Sequence, residues 1–163
     1  MKSTADIVAY LHSTKPPWIA VLPSKDWLDA NYPISGNELL FIEVKGSRCQ
    51  TKSSLLRHFA ERLRFPHHFG QNWDAFEDCI RDLEWLSARG YVIVIVEADQ
   101  LLRRSKKDLR TFVDIMNSAG EDWASSNRNA GNERKPFHTV LLFRPDHRGT
   151  KLFRQRPSVR TSD

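Results

Sequence analysis

Residues 66–83 read Pro66-His67-His68-Phe69-Gly70-Gln71-Asn72-Trp73-Asp74-Ala75-Phe76-Glu77-Asp78-Cys79-Ile80-Arg81-Asp82-Leu83. At about 100° per residue, Trp73, Phe76, Cys79, Ile80, Leu83 and Leu86 share one arc of a helix, while Asp74, Asp78 and Asp82 follow at i, i+4, i+8 on the opposite side. Like charges at that spacing cost an isolated helix roughly 0.2–0.5 kcal/mol per pair. Asp74 in the first turn gains from the helix dipole, but Asp82 lies too far along to share the benefit. Local stability does not explain the stripe. It is either a solvated helix face or a surface with a partner.

Working outward, Asn72 is placed to cap this helix, Gly70 to permit a turn with positive φ, and Gly90 to stop the helix after about Ala88. Upstream, Ser53 or Ser54 caps a helix that turns Leu55, Leu56, Phe59, Ala60 and Leu63 inward and ends before Pro66. Leu39-Leu40-Phe41-Ile42-Glu43-Val44 before it is short and apolar enough for a buried strand. Downstream, Tyr91-Val92-Ile93-Val94-Ile95-Val96 is the continuous β-branched run of a strand covered on both faces, at or near the centre of a sheet. Ser105-Lys106-Lys107-Asp108 resembles a capping box and starts a helix that buries Leu109, Phe112, Val113 and Met116 and runs to about Asn117 or beyond. Thr139-Val140-Leu141-Leu142-Phe143 is the third strand. The order strand, helix, helix, strand, helix, strand predicts an α/β fold with a small three-stranded parallel sheet and right-handed connections.

Residues 38–144 form this main domain. Residues 1–37 read as an N-terminal appendage with a short helix over residues 3–12 (Ile7, Val8 and Leu11 inward), a break at Pro16-Pro17, an extended piece from Trp18 to Leu22 and a turn capped by Ser24. Residues 145–163 are a basic tail in which Leu152, Phe153 and Val159 are the only anchors, and the polar loop over 125–135 is expected to be flexible. No apolar run approaches the roughly 20 residues of a bilayer span. Nor does the N-terminus carry the continuous apolar core of a signal peptide, so a cytoplasmic, non-membrane protein is expected. Cys49 and Cys79 fit free core thiols better than a disulfide.

The chain of 163 residues carries a net charge of +5, which ordinarily suggests an acidic partner such as nucleic acid. Its distribution argues otherwise. From Pro66 to Gln100 there are seven acids against two bases, and from Arg134 to Arg160 eight bases against one acid. A nucleic-acid contact is therefore expected only through the basic C-terminal region, and it remains the alternative reading. No metal site is expected: one helix face cannot surround a cation, and adjacent His67 and His68 do not converge on Cys79. No cofactor is expected, since there is no phosphate-binding glycine loop. His58, Ser53 and nearby acids make no credible nucleophile set, which argues against an enzyme.

The segment Phe69-Gly70-Gln71-Asn72-Trp73-Asp74-Ala75-Phe76-Glu77-Asp78-Cys79-Ile80 resembles the signature of the barstar family of ribonuclease inhibitors, in which aromatic-Gly-x-Asn-hydrophobic-Asp-Ala-hydrophobic-x-Asp-Cys-hydrophobic recurs. The preceding strand and helix, the Phe65-Pro66 turn and the following strand support the likeness over about residues 39–143. The resemblance implies a barstar-like fold and a non-enzymatic inhibitor, monomeric when free. It would act as an antitoxin or immunity protein, plugging the active site of a basic, extracellular-type ribonuclease in a 1:1 complex. On that likeness Asp74 and Asp78 match the positions that meet the nuclease's cations, and His68, Phe69, Gly70 and Asn72 the loop that lies against it. His67 and Asp82 extend the expected contact surface at either end. The family adds an acid from the helix before the last strand, and Asp108 or Asp114 would serve. The adjacent histidines His67 and His68 stand at positions where aromatic or other residues are usual in the family.

Overall fold

In the computed structural model, residues 3–22, 38–125 and 133–144 are described. The sheet is built on β3 (Gly90–Val96), buried along almost its whole length. Its neighbours are β2 (Leu39–Lys45) on one side and β4 (Phe137–Leu142) on the other, and both pairings are parallel. Ile42 lies opposite Ile93, and Ile93 opposite Thr139.

The expected three strands are four among the described residues. The extended piece from the N-terminal segment forms β1 (Ile19–Val21), which pairs parallel with β4 at Ile19–Thr139 and Val21–Leu141, so the order is β1-β4-β3-β2. An unpaired flank of β4 would leave a row of backbone donors and acceptors open, and three residues from the start of the chain satisfy part of it.

Side chains alternate between the two sheet faces, as the period of a strand requires. On one face Ile42, Val44, Tyr91, Ile93, Ile95, Phe137 and Leu141 belong to the main core, packed with α2 (Lys52–Leu63), α3 (Trp73–Asp82) and α4 (Leu109–Ala124). On the other, Leu39, Val92, Val94, Val140 and Leu142 pack with Ile7 and Leu11 of α1 (Thr4–Leu11). The N-terminal helix therefore supplies the second layer that a buried parallel sheet needs. Trp18 seats this layer against α4 so closely that a Cβ on Gly120 would fall 2.6 Å from Trp18 Cγ. Trp18 also stacks near His138, 5.7 Å between centroids, whose Nε2 lies 2.8 Å from the Ser13 carbonyl oxygen.

Several element ends differ from expectation. Thr51, not Ser53 or Ser54, caps α2, because its hydroxyl accepts from the Ser54 amide while the Ser54 hydroxyl accepts from the Thr51 amide. Helix α3 stops at Asp82, well before Gly90, with Leu83 in the left-handed region at φ 47°. The Lys106–Asp108 stretch is a 3-10 turn with no side-chain cap, and the helix after it runs on to Ala124. The Ser24 turn, the middle of the 125–135 loop and the basic tail lie outside the described residues.

Candidate functional site

The loop from Arg64 to Asn72 and helix α3 form one surface. Arg64 ends α2 with a left-handed φ of 54°, which turns the chain so that Phe65 enters the core. Phe65 meets Phe69, Phe76 and Trp85 edge-on at 5.0, 6.1 and 6.2 Å between centroids. The Phe69 amide donates to the Pro66 carbonyl at 2.9 Å, closing a turn whose tip, His67 and His68, is exposed. Phe69 is thus half-buried: it holds the loop down while part of its ring stays at the surface.

Gly70 does not adopt the expected positive φ. What it supplies is room, since a Cβ there would stand 3.1 Å from Asn72 Nδ2 and 3.6 Å from the Ala75 methyl. Asn72 caps α3 as expected: its Oδ1 accepts from the Ala75 amide at 2.8 Å.

Helix α3 presents Asp74, Asp78 and Asp82 as exposed residues, and buries Phe76 and Ile80 completely. Phe76 is the keystone of the helix's inner face, with Phe59, Trp73 and Phe112 at 5.2, 5.7 and 6.2 Å. One end of the helix is tied to the 3-10 turn that leads into α4, and the other to α4 itself. Trp73 Nε1 reaches Asp108 Oδ1 at 3.5 Å at the start, and Trp123 Nε1 donates to the Ile80 carbonyl at 3.0 Å at the end. The two helices therefore run side by side in the same direction, and the carboxylates are offered from a backbone that cannot shift freely.

Asp74 and Asp78 have no ion-pair or hydrogen-bond partner among the described residues, and the basic residue of the helix, Arg81, pairs elsewhere. That arginine lies 3.0 Å from Glu77 Oε1, on the flank of the stripe. Asp82 Oδ1 accepts from the Glu84 amide at 3.3 Å and finishes the helix locally. The acidic field reaches inward: the Cys79 thiol is pushed above its usual range, first by burial and then by the Asp78 and Asp82 carboxylates. Both cysteines are free thiols, and no cluster among the described residues could hold a metal ion.

Of the two acids considered on the next helix, Asp108 stands beside Trp73, whereas Asp114 is exposed and engaged by Arg110 at 3.3 Å. Sequence reading missed the aromatic ties. Trp85 Nε1 donates to the Leu63 carbonyl at 2.8 Å and Tyr91 Oη to the Leu86 carbonyl at 2.5 Å, and together they fix the chain that leaves α3. No periodic signal marks such contacts. No helix of the described residues is long and apolar enough to cross a membrane.

No curated protein matches the sequence. The family described as Barstar (barnase inhibitor) matches residues 39–141, from the first residue of β2 to the penultimate residue of β4. The matched span contains the loop, α3 and Asp108, and leaves out the N-terminal layer. Given a match over more than half of its length, the chain belongs to the barstar family of barnase inhibitors.

Proposed function

We propose that this protein binds a basic ribonuclease one to one and occludes its active site with the loop His67–Asn72 and the outer face of α3, acting as an antitoxin or immunity protein in the cytoplasm. The reading is carried by one observation: Asp74 and Asp78 stand exposed and unpaired, among the described residues, on a helix held at its start by Asp108, just before α4, and at its end by Trp123 of α4. A ribonuclease active site concentrates cationic side chains to hold a phosphodiester. Carboxylates offered on a rigid helix occupy the phosphate positions without supplying a bond to cleave, and charge-assisted hydrogen bonds reward the match. Preorganisation matters because little side-chain and backbone order is lost on docking.

Each residue has a role in this complex. Asp74 and Asp78 meet the catalytic cations, and Asp82 extends the acidic track. His67, His68, Phe69 and Gly70 form the loop contact, which Asn72 holds in register with the helix. Asp108 adds a carboxylate beside Trp73.

The test is binding and inhibition with barnase and a panel of basic ribonuclease domains. Asp78→Ala should weaken a cognate complex by about 2 kcal/mol or more, roughly thirtyfold; this magnitude is that of charge anchors in general, of which barnase–barstar is itself a standard example. Association should slow as salt rises. Equal affinities of wild type and Asp78→Ala at low salt, for every ribonuclease that binds, would overturn the assignment.

A further inference from the structure

A second polar site lies away from the acidic helix, at the carboxyl end of β2. A cleft of about 380 Å³ there has Arg48, Arg57, His58, Glu61 and Arg104 in its walls. Three guanidinium groups face one carboxylate there, the reverse of the balance on α3. The cleft also follows one face of α2 from its N-cap, where the helix dipole favours an anion. Ligands of open parallel sheets gather in the same place, outside the carboxyl ends of the strands.

The walls are firmly built. The Leu102 amide donates to the Cys49 carbonyl at 2.7 Å and the Arg104 amide to the Gln50 carbonyl at 2.9 Å, so the segment after β3 is laced to the segment after β2. Gly46 permits that approach, since a Cβ there would lie 2.2 Å from the Glu97 carbonyl oxygen. Among the described residues the guanidinium groups of Arg57 and Arg104 have no hydrogen-bond or ion-pair partner. Arg48 stands 3.8 Å from Glu61, in a pair that is largely exposed.

The decisive group is His58, 5% exposed. Its Nε2 accepts from the Lys45 amide at 3.1 Å, which places the ring proton on Nδ1. That buried nitrogen has no hydrogen-bond partner. Glu61 Oε2 stands 3.8 Å away, too far for a hydrogen bond and on a half-exposed side chain. An unsatisfied buried donor is costly and uncommon in native proteins. An anion entering the cleft would displace the Glu61 carboxylate and take the Nδ1 proton as a hydrogen bond. Burial, and after it Arg48, holds the imidazole below its ordinary range.

The structure assigns this cleft as a binding site for a phosphate group, held by Arg48, Arg57 and Arg104 with His58 Nδ1 as the buried donor. Its ligand is either inorganic phosphate or a small phosphomonoester, whose remainder the volume accommodates. The site is independent of the ribonuclease-binding surface and does not use Asp74 or Asp78.

The test is a titration of the full chain, followed by amide and imidazole NMR, with inorganic phosphate and separately with glycerol 3-phosphate, each against chloride at matched ionic strength. Saturable shifts are expected at the amides of Ser47–Thr51 and Arg104 and at the His58 ring, with α3 unmoved. The double variant Arg57→Gln/Arg104→Gln, both exposed positions, should bind at least about tenfold more weakly with its β3 amides unchanged. Tighter binding of glycerol 3-phosphate than of inorganic phosphate identifies the ester as the ligand, and equal binding identifies phosphate itself. No saturable response to either anion, or a response undiminished in the double variant, would overturn the assignment.

Discussion

The helix cap at Asn72 gives a prediction whose size follows from geometry. Asn72→Ala removes the oxygen that accepts from the Ala75 amide at 2.8 Å, and nothing else in the substitution changes burial, because the Asn72 side chain is exposed. Loss of an N-cap costs about 0.5–2 kcal/mol, and an amide that water can reach belongs to the lower half, about 0.5–1 kcal/mol. For a chain of this length that corresponds to a fall of roughly 1–4 °C in Tm. Asn72→Gly should lose only a few tenths of a kcal/mol, since glycine lets water reach the free amides, and Asn72→Asp should lose nothing, since it keeps the acceptor and suits the helix dipole. Thermal and urea unfolding of the four proteins should rank them Asp and Asn first, then Gly, then Ala. Equal stability of Asn72→Ala and wild type, or Ala above Gly, would refute the claim that this side chain starts the acidic helix.

Other perturbations follow from the same contacts. Gly120→Ala would gain about 1 kcal/mol in helix propensity but forces a methyl to 2.6 Å from Trp18 Cγ. Overpacking of about 1–3 kcal/mol should win, read as a lower urea midpoint and faster exchange of the Thr139 amide, which donates to the Trp18 carbonyl. An unchanged midpoint would place Trp18 elsewhere. Burial holds His138 and His58 below the ordinary imidazole range. The unfolded chain therefore takes up protons first, and stability should be full above about pH 6.5 and fall as pH drops below it. A midpoint flat from pH 7 to 5 would contradict this. Alkylation of Cys79 should be slow at neutral pH and quicken in Asp78→Asn/Asp82→Asn, because the two carboxylates help to keep the thiol protonated; an unchanged rate would mean that their field does not reach the sulfur.

The legible part of the fold was the part written in short-range chemistry. A β-branched run marked β3, a 3.6-residue period separated Phe76 and Ile80 from the three aspartates, and an asparagine before the first turn marked the cap. What escaped was decided by distant groups. Helix α3 ends at Leu83, a residue with no local reason to turn left-handed, where Tyr91 and Trp85 take hold of the chain behind it. Thr51, Ser53 and Ser54 each offer a hydroxyl, and the mutual bonding of the first and third chose the cap. The extended piece from Trp18 to Leu22 was legible, but that Ile19–Val21 joins the sheet beside β4 was not, because its partner is distant in sequence. At the site, the choice between Asp108 and Asp114 needed the position of Trp73, which spacing does not contain. His58 was set aside as a weak catalytic candidate, and its burial against the Lys45 amide is a tertiary fact.

The pairing of Ile19–Val21 with Thr139–Leu141 joins segments that are far apart along the chain. On a ribosome β1 emerges well before β4 and has no partner until that last strand has been made, whereas Leu39, Val92 and Val94 are in place earlier to cover Ile7 and Leu11. Its docking is a closing step, reached only by a chain whose barstar-type core is already assembled. The arm is not independent of the acidic face, because Trp18 packs against Gly120 of α4, the helix that holds the end of α3; losing the arm would bare the far side of the sheet and loosen that support.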